Sequence, residues 1–129
     1  MANEEILMIA ELEQEMKQLE ERLGMLEQQT LEMQKLEQSL DEIKKNKEKK
    51  IMAGLGRGIF MKAEIKEEDL FVDVGSGVIL KKSVEDTKKI IKEQVKKMFE
   101  FKQKLIGRAE QIRTEMEMII EKAQKAEEK

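Results

Sequence analysis

The fold is decided by the stretch IMAGLGRGIFMKAEIKEEDLFVDVGSGVILKKS, from Ile51 to Ser83. Apolar residues recur there at every second position, which is the period of a β-strand and not of a helix. Three turn signals divide the stretch: Gly56-Arg57-Gly58, Glu67-Glu68-Asp69 and Gly75-Ser76-Gly77. The pattern therefore predicts four short strands between residues 51 and 83.

Apolar side chains are predicted on both faces of these strands. Short strands of about five residues cannot bury two apolar faces by themselves. Either the flanking helices fold back over one face, or another chain covers it or pairs with an open strand edge. We favour the partner chain, because the helices are too long to serve only as covers. The predicted subunit interface comprises Phe60, Phe71, Val72, Val74, Val78 and Ile79.

The composition limits the functions that are open to this chain. Of its 129 residues, 41% are charged and 3% are aromatic, so it cannot enclose a large globular core. It has no Cys and no His, which removes disulfides, zinc sites of the Cys/His type, thiol nucleophiles and the usual neutral-pH proton shuttle. We therefore expect no enzyme activity, no catalytic or metal-binding residue and no cofactor.

The location and the polymer partners are also constrained by composition. The absence of Cys fits a reducing, cytoplasmic setting. No segment approaches the ~20 apolar residues of a membrane span, and the apolar run near the start is too short and acidic for a signal peptide. The lysines alternate with glutamates and the net charge is -3, which argues against nucleic acid as a partner.

The segments on either side of the strands are predicted to be long coiled-coil helices. Apolar residues between Ile9 and Ile43 recur at steps of three and four, and so do those between Ile91 and Ala126. The first series contains two successive steps of three, ending at Leu36, which predicts local overwinding. The second helix follows a variant capping box at Ser83-Val84-Glu85-Asp86.

Two matched apolar seams joined by a β segment predict an antiparallel helical hairpin, in which Leu19 lies opposite Met116. The fold class is therefore α+β dominated by helix: a long coiled-coil hairpin with a small central β-hairpin segment. Its predicted parts are an N-terminal helix over 1–50, an assembly segment over 51–83 and a C-terminal helix over 84–129.

Several apolar residues near the two chain ends lie off the seams. In the predicted hairpin they converge at the same end of the helix pair, and methionine suits a surface that accommodates many sequences. The alternative is that they are frayed ends that pack against one another. The candidate binding residues are Ile6, Leu7, Met8, Met118 and Ile120.

The order of helix, strand segment and helix resembles an archaeal prefoldin subunit of the alpha type. The resemblance is carried by the segment LGRGIFMKAEIKEEDLFVDVGSGVILKKSVEDT, from Leu55 to Thr87, and is specific in the block from Gly54 to Val84. It implies a chaperone subunit without ATPase activity, in a hexamer of alpha and beta subunits whose β-hairpins assemble into a barrel. It also implies that the coiled-coil tips hold unfolded client proteins and pass them to a group II chaperonin. Two alternatives remain: a prefoldin-like chain that assembles with itself into a filament, and a structural coiled-coil adaptor without chaperone activity.

Overall fold

Two long helices flank four short strands in the computed structural model, which describes residues 2–127. The outer limits predicted for the two helices, Met1 and Lys129, lie outside the described residues. In chain order the elements are α1 (Asn3–Lys45), β1 (Lys50–Gly56), β2 (Ile59–Glu64), β3 (Leu70–Asp73), β4 (Ile79–Lys82) and α2 (Val84–Glu127). They divide into two compact units: the helix-end unit, residues 2–30 with 96–127, and the strand unit, residues 31–95.

The core of the helix-end unit is a row of apolar side chains between the two helices. Leu19, Leu26, Leu105 and Ile112 are buried, and Ile112 is completely inaccessible to solvent. Because seam residues recur every three and four positions, each helix presents one predominantly apolar row to the other. Their removal from water is the main stabilisation of this unit. The half-buried residues around this core are Leu12, Met16, Leu23, Met98, Ala109 and Met116.

The register of the two helices differs from the predicted one. The predicted pairing of Leu19 with Met116 would place Glu27 opposite Arg108. Instead, the Lys102 Nζ lies 3.5 Å from the Glu27 Oε1. The predicted register is therefore wrong by nearly one heptad. Sliding one helix by a heptad brings equivalent apolar positions together again, so the seam pattern alone cannot distinguish the two registers.

The predicted overwinding of the first helix is also not observed, because Leu36 does not belong to the seam. Leu36 is 46% exposed, whereas Glu37 is half-buried. The seam passes from Met33 through Glu37 to Leu40 and keeps the regular alternation of three and four. The spacing of the helix pair therefore places Glu37 in the seam although Leu36 is the more apolar residue. The aliphatic part of a glutamate can cover apolar surface while its carboxylate reaches water.

The strand unit has its own small core, built from both helices and the third strand. Leu40, Val84 and Ile91 are buried, and Met33, Ile43, Leu70 and Val95 pack against them. Two ion pairs, Lys44 with Glu85 and Lys88 with Asp41, link the two helices beside this core. Ion pairs that remain in contact with solvent, as these two do, stabilise weakly but help to fix the register.

The four predicted strands are present, and they form two separate sheets of two strands each. β1 pairs antiparallel with β2, and β3 pairs antiparallel with β4. Each hairpin is closed by its own glycine turn, and no ladder joins β2 to β3. An isolated two-stranded sheet is only marginally stable in water and leaves both outer edges unpaired. Residues 2–127 of the single chain therefore contain no closed barrel.

Local hydrogen bonds set the limits of the elements next to the strands. The Asn46 side chain accepts from the Lys49 N–H and donates to the Lys50 carbonyl, which turns the chain from α1 into β1. The Ser83 Oγ accepts from the Asp86 N–H at 3.1 Å, so the predicted cap at the start of α2 is confirmed. In the β3–β4 turn Gly75, Ser76 and Gly77 all have positive φ, a conformation in which glycine carries no steric cost.

Candidate functional site

The strand unit exposes a set of large apolar side chains that we call the strand surface. It comprises the predicted interface residues together with their exposed neighbours. Phe71 is 71% exposed, Ile79 63% and Phe60 61%, and Val74 and Val78 are about half exposed. Val72 is half-buried and alternates with Phe71 along β3, as the strand period requires. The exposed neighbours on β1 and β2 are Met52, Leu55, Ile59 and Met61.

A cleft of about 460 Å³ extends the strand surface onto the helices of the same unit. Phe71 lines this cleft together with Leu36 and Ile90, which belong to α1 and α2. Leu36 was missed as a surface residue because its spacing assigned it to the seam. The exposed apolar side chains of the cleft and the strands are clustered and not scattered singly. Such clustering is typical of a protein interface.

A second apolar surface lies in the helix-end unit, where the start of α1 meets the end of α2. A groove of about 370 Å³, which we call the tip groove, opens between them. Its apolar floor consists of Met8 and Leu12 from α1 with Met118 and Ile119 from α2. Because the two helices are antiparallel, the N-terminal part of α1 and the C-terminal part of α2 bring these side chains together. The polar residues that line the groove are Glu11, Glu15, Glu115 and Lys122.

The structure brings only some of the predicted binding residues into the tip groove. Met8 and Met118 line it and are 50% and 52% exposed. Ile6, Leu7 and Ile120 are also exposed but lie outside the groove lining. Sequence reasoning missed the groove role of Leu12 and Ile119, because both positions fit the helical seam. The role of all these residues in binding a client remains a prediction.

Arg108 organises the charges next to the tip groove. Its Nε and Nη2 atoms donate to the two carboxylate oxygens of Glu15 at 2.7 and 2.9 Å. Its Nη1 lies 3.7 Å from the Glu115 Oε1. The hydrogen bonds from the guanidinium, together with its positive charge, lower the pKa of Glu15. The Glu15 carboxylate at the groove therefore stays ionised under mildly acidic conditions.

This ion pair gives a testable pH dependence of stability. At neutral pH we expect Arg108→Gln to melt at a slightly lower temperature than the wild type, because ionised Glu15 then loses its cation. The folded-state pKa of Glu15 lies below the ordinary value of 4.5. The stabilisation is thus complete above about pH 4.5 and disappears as the pH falls through the lowered pKa. Circular dichroism melts over a pH series should show the gap closing at acidic pH.

The matched control is Arg113→Gln, which removes an exposed arginine from the same helix. Its melting temperature should follow that of the wild type at every pH. A gap for Arg108→Gln that persists unchanged at the acidic end would contradict the role of Glu15.

Within residues 2–127, no cluster of three or more Asp or Glu side chains has the arrangement needed to hold a metal ion. In that same range, no helix combines the length and the apolar character that crossing a membrane requires.

Comparisons with known proteins agree with this architecture. Residues 12–129 match the family model of the prefoldin subunit. A protein named prefoldin subunit alpha, from Methanosphaera stadtmanae, is 31% identical over 83 residues, which cover 64% of this chain and 60% of that protein's length. The filamentous PFD of Methanocaldococcus jannaschii has the same fold, with a TM-score of 0.77 at 16% identity over 88% of this chain and 95% of that one. The predicted fold class is confirmed, and the chain belongs to the prefoldin subunit family.

Proposed function

We propose that this chain is a subunit of an ATP-independent cytoplasmic chaperone, which holds unfolded proteins in its tip groove and delivers them to a group II chaperonin. Proteins of the prefoldin family are chaperones and not enzymes. The observation that carries the proposal is the open apolar floor of the tip groove, Met8, Leu12, Met118 and Ile119. Flexible methionine side chains can adapt to many client sequences, as a general chaperone requires.

The strand surface is proposed to join this subunit to others. Two small sheets with open edges and exposed phenylalanines gain stability when further strands cover them. The similarity to a protein named prefoldin subunit alpha favours a heterohexamer with beta-type subunits. The shared fold with a filamentous PFD supports the second candidate, a chain that assembles with itself. Sedimentation of the purified chain, alone and then mixed with a beta-type subunit, distinguishes the two assemblies.

The client site can be tested by removing the exposed methionines of the groove. We expect the double variant Met8→Ser with Met118→Ser to lose most of its ability to suppress aggregation of chemically denatured citrate synthase without ATP. The physical reason is that each buried methionine contributes on the order of 1.5 kcal/mol or more of apolar contact. Light scattering measures the loss, and sedimentation should show that the oligomer persists.

The matched control is the double variant Met25→Ser with Leu31→Ser, which changes two α1 side chains that are 62% and 57% exposed but lie outside the groove. It should protect the client as well as the wild type does. Full protection by the Met8 and Met118 variant would move the client site elsewhere. A wild-type chain that protects no client would instead favour the third candidate, a structural adaptor.

A further inference from the structure

We infer that the tip groove prefers client segments in which apolar side chains are flanked by lysine or arginine. This inference rests on the proposed function, because it names the class of segment that the same groove would take. Two observations support it: the charged residues around the apolar floor, and the uneven distribution of acidic and basic residues along the chain.

The negative charge of the chain is concentrated at the helix ends that form the groove. Residues 2–15 contain five acidic and no basic residues, and residues 115–127 contain four acidic and two basic residues. Together these two segments carry a net charge of -7. The whole chain carries -3, so residues 16–114 carry +4. The groove therefore lies in the acidic part of an otherwise basic chain.

Carboxylates border the apolar floor itself. Glu11, Glu15 and Glu115 line the groove, and Lys122 is the basic residue among its lining side chains. Arg108 compensates Glu15 directly and reaches Glu115 only at 3.7 Å. An apolar floor with an anionic border is complementary to a segment whose apolar residues are followed or preceded by cations. Such complementarity contributes mainly to specificity and to the association rate.

The same charge disfavours the other possible occupants of the groove. A second copy of the chain would bring another segment pair of net charge -7 against the first, and like charges repel. Anionic lipid and nucleic acid would meet the same repulsion. A cationic, partly apolar stretch of an unfolded protein is the occupant that both the floor and the border accommodate.

The test uses the assembled protein and three fluorescent peptides that share one apolar core. The cores are flanked by lysines, by serines or by glutamates, and binding is followed by fluorescence anisotropy. At about 50 mM NaCl we expect the lysine-flanked peptide to bind roughly tenfold more tightly than the serine-flanked one, and the glutamate-flanked peptide to bind more weakly still. Near 500 mM NaCl the preference should shrink to about twofold, because salt screens exposed charges.

Two variants locate the preference. In Glu11→Gln with Glu115→Gln, the advantage of the lysine-flanked peptide should fall severalfold. The control Glu20→Gln with Glu21→Gln removes two exposed charges of α1 outside the groove lining and should keep the wild-type preference. Equal binding of all three peptides would overturn the inference and leave the proposed function standing. Binding of none of them would overturn both.

Discussion

Replacing Phe71 with aspartate is expected to disperse the oligomer while leaving the helical hairpin folded. The Phe71 side chain is 71% exposed and belongs to neither buried cluster, so a single chain loses little when it is changed. In the proposed assembly, however, the new carboxylate would be buried against a partner subunit. Burying an unpaired charge costs at least about 3 kcal/mol at each subunit interface, which weakens association there roughly a hundredfold.

Sedimentation velocity measures the dispersal, and far-ultraviolet circular dichroism reports the helix content. Phe99→Asp is the matched control, because Phe99 is 61% exposed on α2 and belongs to the helix-end unit, whereas Phe71 belongs to the strand unit. It should leave the oligomer intact. A Phe71→Asp variant that sediments at full size would contradict the assignment of the strand surface as the subunit interface.

Ile112→Ala is expected to be the most destabilising of the simple truncations in the helix-end unit. Ile112 is fully buried in the cluster with Leu19, Leu26 and Leu105. Shortening such a side chain removes apolar contacts and leaves a cavity, at a cost of about 2 to 5 kcal/mol. Urea unfolding followed by circular dichroism should show a correspondingly lower midpoint.

The chain offers a control with the same chemical change on the same helix. Ile120 is 37% exposed, and Ile120→Ala should cost less than about 1 kcal/mol. Because both variants have the same effect on intrinsic helix propensity, the difference between them isolates the burial of Ile112. Equal midpoints for the two variants would show that the helices do not pack along the observed seam.

The strands and the start of α2 could be predicted because local rules determine them. The alternation around Phe60 and Phe71 has the period of a strand, and the glycine turns mark where one strand ends and the next begins. The cap at Ser83 follows from a side-chain oxygen that accepts the Asp86 N–H, a purely local contact. Each of these features depends on residues that are close in the sequence.

The features that sequence reasoning missed depend on how distant segments meet. The register could not be found because a heptad repeat looks the same after a slide of seven residues, whereas the contact of Glu27 with Lys102 identifies it. Leu36 was assigned to the seam by its apolar character, although the geometry of the pair selects Glu37. Leu12 and Ile119 fit the seam pattern equally well, so their part in the tip groove became visible only in the folded hairpin.

Thr30 occupies a seam position between the buried leucines of the two clusters, Leu26 and Leu40, and its hydroxyl donates to the Leu26 carbonyl. A hydroxyl at this position contributes little apolar contact between α1 and α2. We therefore expect the two helices to separate in stages and not in one cooperative step. Hydrogen–deuterium exchange of the backbone amides should then give different free energies of local opening around Ile112 and around Ile91. One shared free energy for both regions would exclude this staged opening. In the proposed assembly, such a chain would spread its helix ends around a bulky client while the strands of the proposed subunit interface stay paired.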